Sequence, residues 1–140
     1  MNDALGPTIL IAEDDEIMRD LVARWLVAAG YQVARASNGE EVIEVVREAK
    51  PAAIIMDLTM PRMDGFQVLA HFRSLGLPLA PVLLLTGRHT TEDVRKALSL
   101  GAKDYLAKPV ERAHLLSRLE RVLKNTAPAA DKKAEDTYLD

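Results

Sequence analysis

Glu13-Asp14-Asp15, Asp57 and Lys108 each stand at the end of an apolar run, and their side chains are those of a cation-dependent phosphoryl site. Asp57 follows Ile54-Ile55-Met56, and Pro61 and Gly65 punctuate the stretch after it, so a carboxylate stands where a buried strand gives out. Two carboxylates ~4 Å apart repel by about 4 kcal/mol at an effective dielectric of about 20. Glu13, Asp14 and Asp57 on one rim therefore require a counter-ion. All the candidate donors are oxygens and only two or three are present, which suits Mg2+ with retained waters better than a full Ca2+ cage. Lys108 adds a mobile positive charge, and the Thr86 hydroxyl can donate to an oxyanion. In such a pocket Mg2+ and Lys neutralise phosphoryl oxygens, while an Asp carboxylate is a known class of nucleophile that forms an aspartyl phosphate.

Composition narrows the other possibilities. The chain has 140 residues, 49% hydrophobic and 28% charged, close to the usual size of one domain with one core. It has no cysteine, and its three histidines are not at metal-ligand spacing, so disulfides and transition-metal chemistry are not expected. No apolar stretch approaches the ~20 residues that span a bilayer, and the first seven residues lack signal-peptide character, which predicts a cytoplasmic protein. A net charge of −3 gives no footprint for direct nucleic-acid binding.

Short β-prone runs alternate five times with segments of helical period. The strands are expected at 8–12, 31–36, 53–56, 81–85 and 105–107. The first helix is read over 16–29 with Ile17, Leu21, Trp25 and Ala29 on its inner stripe, and Gly30 closing it. Ser37-Asn38-Gly39-Glu40 reads as a capping box opening a second helix through Val42, Val45, Val46 and Ala49. A third carries Phe66, Leu69, Ala70 and Phe72 up to the Gly76-Leu77-Pro78 break. A fourth, capped by Thr90 or Thr91, carries Val94, Ala97 and Leu98. A fifth over 111–124 turns Leu115, Leu116, Leu119, Val122 and Leu123 inward. This alternation predicts an α/β fold, a doubly wound five-stranded parallel sheet with helices on both faces, for which the flavodoxin-like order 2-1-3-4-5 is one of two common solutions. Residues 1–7 read as a flexible lead-in, 8–124 as the domain, and 125–140, rich in Ala, Lys and Asp, as a disordered tail too polar for a second core.

The acidic pair after the first strand, Asp-x-x-Met-Pro-x-Met-Asp-Gly from Asp57, Leu85-Thr86-Gly87, and Asp104-Tyr105-Leu106-x-Lys108-Pro109 follow one another in order. On these motifs the chain resembles a receiver domain of two-component response regulators, similar to the single-domain chemotaxis regulators, over roughly residues 8–124. The resemblance implies that Asp57 accepts a phosphoryl group from a histidine kinase or histidine phosphotransfer protein. It implies that Asp14 and Asp57 hold Mg2+ with the backbone carbonyl of Thr59, Glu13 assisting through water, and that Thr86 and Lys108 bind the phosphoryl oxygens. A cis peptide before Pro109 would aim Lys108, and Tyr105 would move inward as Thr86 turns. Thr59 and Arg88 occupy the two rim positions that tune water access. Val110 departs from the aromatic residue common after the Lys-Pro pair. By alignment Asp15 falls just past the acidic pair and reads as a cap or an outer-shell charge for the first helix, not a ligand.

The implied activity is that of a phosphorylation-controlled switch, not an enzyme beyond its own phosphorylation and dephosphorylation. Its output partner, as yet unidentified, would dock on the face of the fourth helix, fifth strand and fifth helix, with the protein a monomer or weak dimer. A phosphoryl shuttle or sink in a phosphorelay is an alternative. An aspartyl-phosphate phosphohydrolase is more remote, because its second acid would fall at Thr59. Flavin binding is disfavoured by three acids where a phosphate loop would lie. Plainer readings place Trp25 in the core, His71 and His89 on the surface, and His114, Arg118 and Arg121 on a solvated basic stripe.

Overall fold

Apolar runs bracketed by turn residues become the strands, and each is followed by a helix. The computed structural model describes residues 5–76 and 79–124. Its elements are β1 (Thr8–Ala12), α1 (Glu16–Ala28), β2 (Gln32–Ala36), α2 (Gly39–Ala49), β3 (Ala53–Met56), α3 (Gly65–Ser74), β4 (Val82–Thr86), α4 (Thr91–Ser99), β5 (Asp104–Ala107) and α5 (Arg112–Lys124). The strands form one parallel sheet in the order β2-β1-β3-β4-β5, the flavodoxin-like solution.

Successive side chains of a strand point to opposite faces, and both faces of this sheet are covered. Leu10, Ile54, Met56, Val82 and Leu84 point into one core with Val42, Leu69 and Phe72, contributed by α2 and α3. Ile9, Ile11, Ile55, Leu83 and Leu85 point into the other with Val22, Leu26, Leu115 and Leu119, contributed by α1 and α5. The central strands read as unbroken apolar runs because both their faces are buried.

Polar caps set where the helices start. Asp15 accepts from the backbone N–H of Ile17 and Met18, Asp64 and Gln67 form a reciprocal capping box, and Thr90 accepts from Asp93 N–H. At α2 the cap lies one residue later than the sequence suggests. Asn38 accepts from Glu41 N–H at 2.9 Å, and the Glu41 carboxylate reaches back to the Ser37 N–H and hydroxyl at 2.7 and 2.9 Å.

Several expectations are corrected. Ile17 is 81% exposed and Leu21 41% exposed, while Val22, Ala23 and Leu26 face the core with Met18 and Trp25 packed beside them. Two apolar series one residue apart run along α1, and only docking on Ile9 and Ile11 selects between them. In α3 Val68 is buried and Ala70 exposed. Gly6 N–H donates to Gly30 O, and Gln32 N–H to Pro7 O, which joins the residues before β1 to the start of β2. The predicted lead-in up to residue 4, the 77–78 part of the predicted break and the predicted tail at 125–140 lie outside the described residues. Among the described residues no helix is long and apolar enough to cross a membrane.

Candidate functional site

The carboxyl ends of β1, β3, β4 and β5 bring the polar residues together on one rim. β1 ends at Ala12, and Glu13 N–H continues the pairing by donating to Ala36 O at 3.0 Å. β3 ends at Met56, and Asp57 N–H likewise donates to Ala12 O at 3.0 Å. These two backbone bonds fix the Cα positions of Glu13 and Asp57 as extensions of the sheet, which is why both carboxylates are buried, at 1% and 6% exposure.

Their charges meet one ammonium group. Lys108 Nζ donates to Glu13 Oε1 at 2.7 Å and to Asp57 Oδ2 at 2.8 Å. Lys108 N–H donates to Thr86 O at 3.0 Å, so the end of β4 holds the backbone from which this side chain reaches across. The Lys108–Pro109 peptide is cis. Glu13 is further engaged by Asp15 N–H at Oε2, and Arg19 donates to its backbone carbonyl at 2.8 Å. Burial raises the Glu13 carboxyl above its ordinary value, against the lowering hydrogen bond from Lys108. Burial alone would lower the Lys108 ammonium, but its hydrogen bonds to Asp57 and Glu13 outweigh that and hold it above the ordinary lysine range.

Asp14 is the exposed member of the group. Glu13, Asp14 and Asp57 each offer an oxygen, and these oxygens lie within 4.8 Å of one another. Three hard oxygen donors on one rim, two of them buried, fit a small divalent cation that keeps several waters. The expected crowding of carboxylates is thus present, and Lys108 already neutralises part of it.

Thr86, at 1% exposure, accepts from Arg88 N–H at its hydroxyl oxygen at 3.0 Å. The Arg88 side chain is engaged by Phe66 and Asp93. Its guanidinium carbon lies 5.2 Å from the Phe66 ring centroid and its Nη2 3.3 Å from Asp93 Oδ1, while Lys96 Nζ lies 4.4 Å from the same ring. Thr59 N–H donates to Asp57 Oδ1 at 3.1 Å, which ties the loop after β3 to the carboxylate it follows. Tyr105 is half-buried against the core shared with α2 and α3.

Sequence reading missed four contributors. Arg19 carries no local pattern that marks it, and the helical period that places Phe66 in the third helix does not show that its ring lies under Arg88 and Lys96. Asp104 is fully buried and bonds Arg118 Nη1 through both oxygens at 2.8 and 2.9 Å, so Arg118 is not part of a solvated stripe. The partners are 14 positions apart, beyond the spacing that helical periodicity reveals. His71 meets Phe72 edge-on with ring centroids 5.5 Å apart, whereas His89 and His114 are exposed as expected. The fourth is Gly39, which lies against Met63 of the loop after β3.

Comparison with known proteins agrees with this geometry. A family model described as the response regulator receiver domain matches residues 9–120. The chain is similar to the response regulator MprA of Mycolicibacterium vanbaalenii, 37% identical over 134 residues that cover 94% of this chain and 58% of that protein. It therefore spans little more than half the length of such curated relatives. Among solved structures it is similar to the receiver domain of the Francisella response regulator 1452, with a TM-score of 0.80 and 27% identity, covering 87% of this chain and all of that one. It is also similar to the receiver domain of the Pseudomonas aeruginosa sensor histidine kinase PA1611, which holds a magnesium ion coordinated in its active site cleft. That match has a TM-score of 0.76 and 29% identity, with 85% and 98% of the two chains covered.

Proposed function

This chain belongs to the response regulator receiver domain family, a family of phosphorylation-controlled signalling domains, and from that premise we propose that Asp57 is its phosphoacceptor and Mg2+ its cofactor. The observation that carries the reading is the Lys108 ammonium shared between Glu13 and Asp57 beside the exposed carboxylate of Asp14. The donor is a phosphohistidine of a histidine kinase or phosphotransfer protein. An Asp57 oxygen attacks phosphorus, a P–O bond forms as the donor's P–N bond breaks, and the leaving imidazole takes a proton from solvent.

Asp14 and Asp57, the Thr59 backbone carbonyl, and Glu13 through water are the residues that would hold the ion. When bound, Mg2+ neutralises the negative charge that gathers on the carboxylate and phosphoryl oxygens. The chain's own groups do the rest. Lys108 passes from Asp57 Oδ2 to a phosphoryl oxygen, keeping Glu13 as its second partner. Thr86 stops accepting from Arg88 N–H and donates its hydroxyl to another phosphoryl oxygen, and Tyr105 follows it inward. Thr59, whose N–H is bonded to Asp57, and Arg88, held by Phe66 and Asp93, are the two rim residues that tune water approach. The added phosphoryl group, of about −2 charge, interacts differently with the two positions of Thr86 and Lys108 and shifts the population of the face built by α4, β5 and α5. That face meets the output partner, in a cytoplasmic protein that is a monomer or weak dimer.

Incubation with acetyl phosphate and Mg2+, read by intact mass, tests the assignment. Wild type is expected to gain one phosphoryl group and Asp57→Asn none; equal behaviour of the two sinks it. Binding of a beryllofluoride mimic with Mg2+ is expected to move amide chemical shifts between residues 91 and 121, and unmoved signals there would remove the output face.

A further inference from the structure

We infer that Gly39, the first residue of α2, is a positioning residue for the metal-binding loop after β3, because its missing side chain lets the helix end rest directly on the loop backbone. A β-carbon built at Gly39 would lie 2.1 Å from Met63 O, 2.6 Å from Met63 Cβ and 2.7 Å from the Met63 carbonyl carbon. No rotamer change relieves a clash with backbone atoms, so any other residue displaces the loop, the helix end or both.

Gly39 acts here through close approach, and the helix end it belongs to cannot easily give way. Asn38 is buried and caps α2 through Glu41 N–H, and the Glu41 carboxylate holds the Ser37 N–H and hydroxyl. Two residues upstream of Asn38, Ala36 O accepts the Glu13 N–H. The first turn of α2 is thereby built on the same backbone that fixes one of the candidate ligands.

The loop is equally confined from below. Gly65 N–H donates to Leu58 O at 2.9 Å, and a β-carbon at Gly65 would meet Asp57 O and Leu58 Cα at 2.9 Å each. Thr59 N–H is bonded to Asp57 Oδ1, and Met63 N–H to Pro61 O. The segment from Asp57 to Asp64 thus closes on itself at Leu58 and Gly65, and Gly39 presses on it at Met63. Arg62, in the left-handed region at φ 70°, pairs with Glu40 at 3.3 Å, but both side chains are exposed and the pair adds little. The contact that matters is the backbone approach at Gly39. A ligand constellation works only when held to within about 0.5 Å of its geometry. A shift of the loop at Met63 moves the Thr59 carbonyl relative to Asp57.

The inference rests on the assignment of Asp14, Asp57 and the Thr59 carbonyl to Mg2+. It is tested by calorimetric titration of Mg2+ alone into wild type and Gly39→Ala, far below the melting temperature, together with thermal unfolding of both metal-free proteins. The dissociation constant of folded Gly39→Ala is expected to rise at least about tenfold, the scale seen when supporting groups around a metal site are changed. Arg62→Ala is expected to stay within about twofold of wild type. A merely structural glycine would lower the melting temperature and leave the Mg2+ constant of the folded protein unaltered, and that result overturns the inference. Should Gly39→Ala not fold, Asn38→Ala decides: it frees the helix end that rests on the loop backbone without inserting atoms, weaker Mg2+ binding is expected, and an unchanged constant overturns the inference. Failure of wild type to bind Mg2+ would instead strike at the ligand assignment.

Discussion

Lys108 is divided between two buried carboxylates, and that division makes it a competitor of any cation that comes to the rim. Its Nζ is 2.7 Å from Glu13 and 2.8 Å from Asp57, so it supplies the counter-charge for both when no other is bound. Removing it as Lys108→Ala leaves Glu13 and Asp57 facing each other unpaired. Breaking a buried ion pair costs roughly 3–5 kcal/mol, and the partial exposure of Lys108 reduces this to roughly 2 kcal/mol. The expected outcome in metal-free urea unfolding is a loss of that size. The same variant is expected to bind Mg2+ more tightly than wild type in calorimetry, since one positive charge no longer has to be displaced. Weaker Mg2+ binding would mean that Lys108 orients the carboxylates more than it competes. At this scale the sequence was informative: Asp57, Glu13 and Lys108 are charges at the ends of apolar runs, where burial makes a polar residue conspicuous. Arg118 was not legible, because a cation on a helix shows its meaning only when its partner is known. With Asp104 fully buried, Arg118→Met is expected to cost roughly 3 kcal/mol in the same assay. Replacing Asp104 by Asn in that background should recover part of it.

Elements differ in how firmly they are held, and α2 and α4 mark the extremes near the rim. The first turn of α2 is fixed by Asn38 and by Glu41, whose carboxyl is held below its ordinary value by the Ser37 N–H and then by the Ser37 hydroxyl. A carboxyl with a depressed value in the folded state adds stability above its unfolded pKa, and that part is lost as pH falls through the folded value. The difference in urea midpoint between wild type and Glu41→Gln is therefore expected to favour wild type at neutral pH and to shrink as pH falls below 4.5, the ordinary value for Glu41. A pH-independent difference would detach Glu41 from the cap. By contrast with α2, which packs Ile43, Val45 and Val46 against the core beside buried Val42, α4 is held by buried Val94 and Ala97, with Lys96 on Phe66 and an Arg73 hydrogen bond to Ser99 O at its far end. Caps were readable from short-range residue types, though the order Ser37-Asn38-Gly39-Glu40 placed the α2 cap one residue early. The phase of α1 was not readable, because Ile17 and Leu21 match Met18 and Val22 in hydrophobicity and only the sheet beneath distinguishes them.

Across the whole molecule the two cores are unequal in what they anchor. The core beneath α1 and α5 receives five buried residues from those helices, Val22, Leu26, Leu115, Leu119 and Val122, whereas on the opposite face α4 adds Ala97 alone. Hydrogen exchange is expected to be slowest in β1, β3 and β4 and fastest, among the helices, in α4. Phe66→Leu, which removes the ring under Arg88 and Lys96, should speed exchange in α4 while leaving α1 and α5 unchanged; uniform acceleration would show that Phe66 matters only as core volume. Fold class followed from the sequence, and strand boundaries to within one residue, because every central strand is apolar on both faces, but strand order followed only as one of two solutions, since periodicity carries no information about which strands are neighbours. The reach of Lys108 has a last consequence, in time and not in space. Its contacts with Glu13 and Asp57 join positions 95 and 51 apart along the chain. Pairings so distant in sequence are among the late and slow events of folding. A molecule whose fifth strand has not yet docked would carry Glu13 and Asp57 without their lysine, so the rim gains its counter-charge only once β5 has closed onto β4.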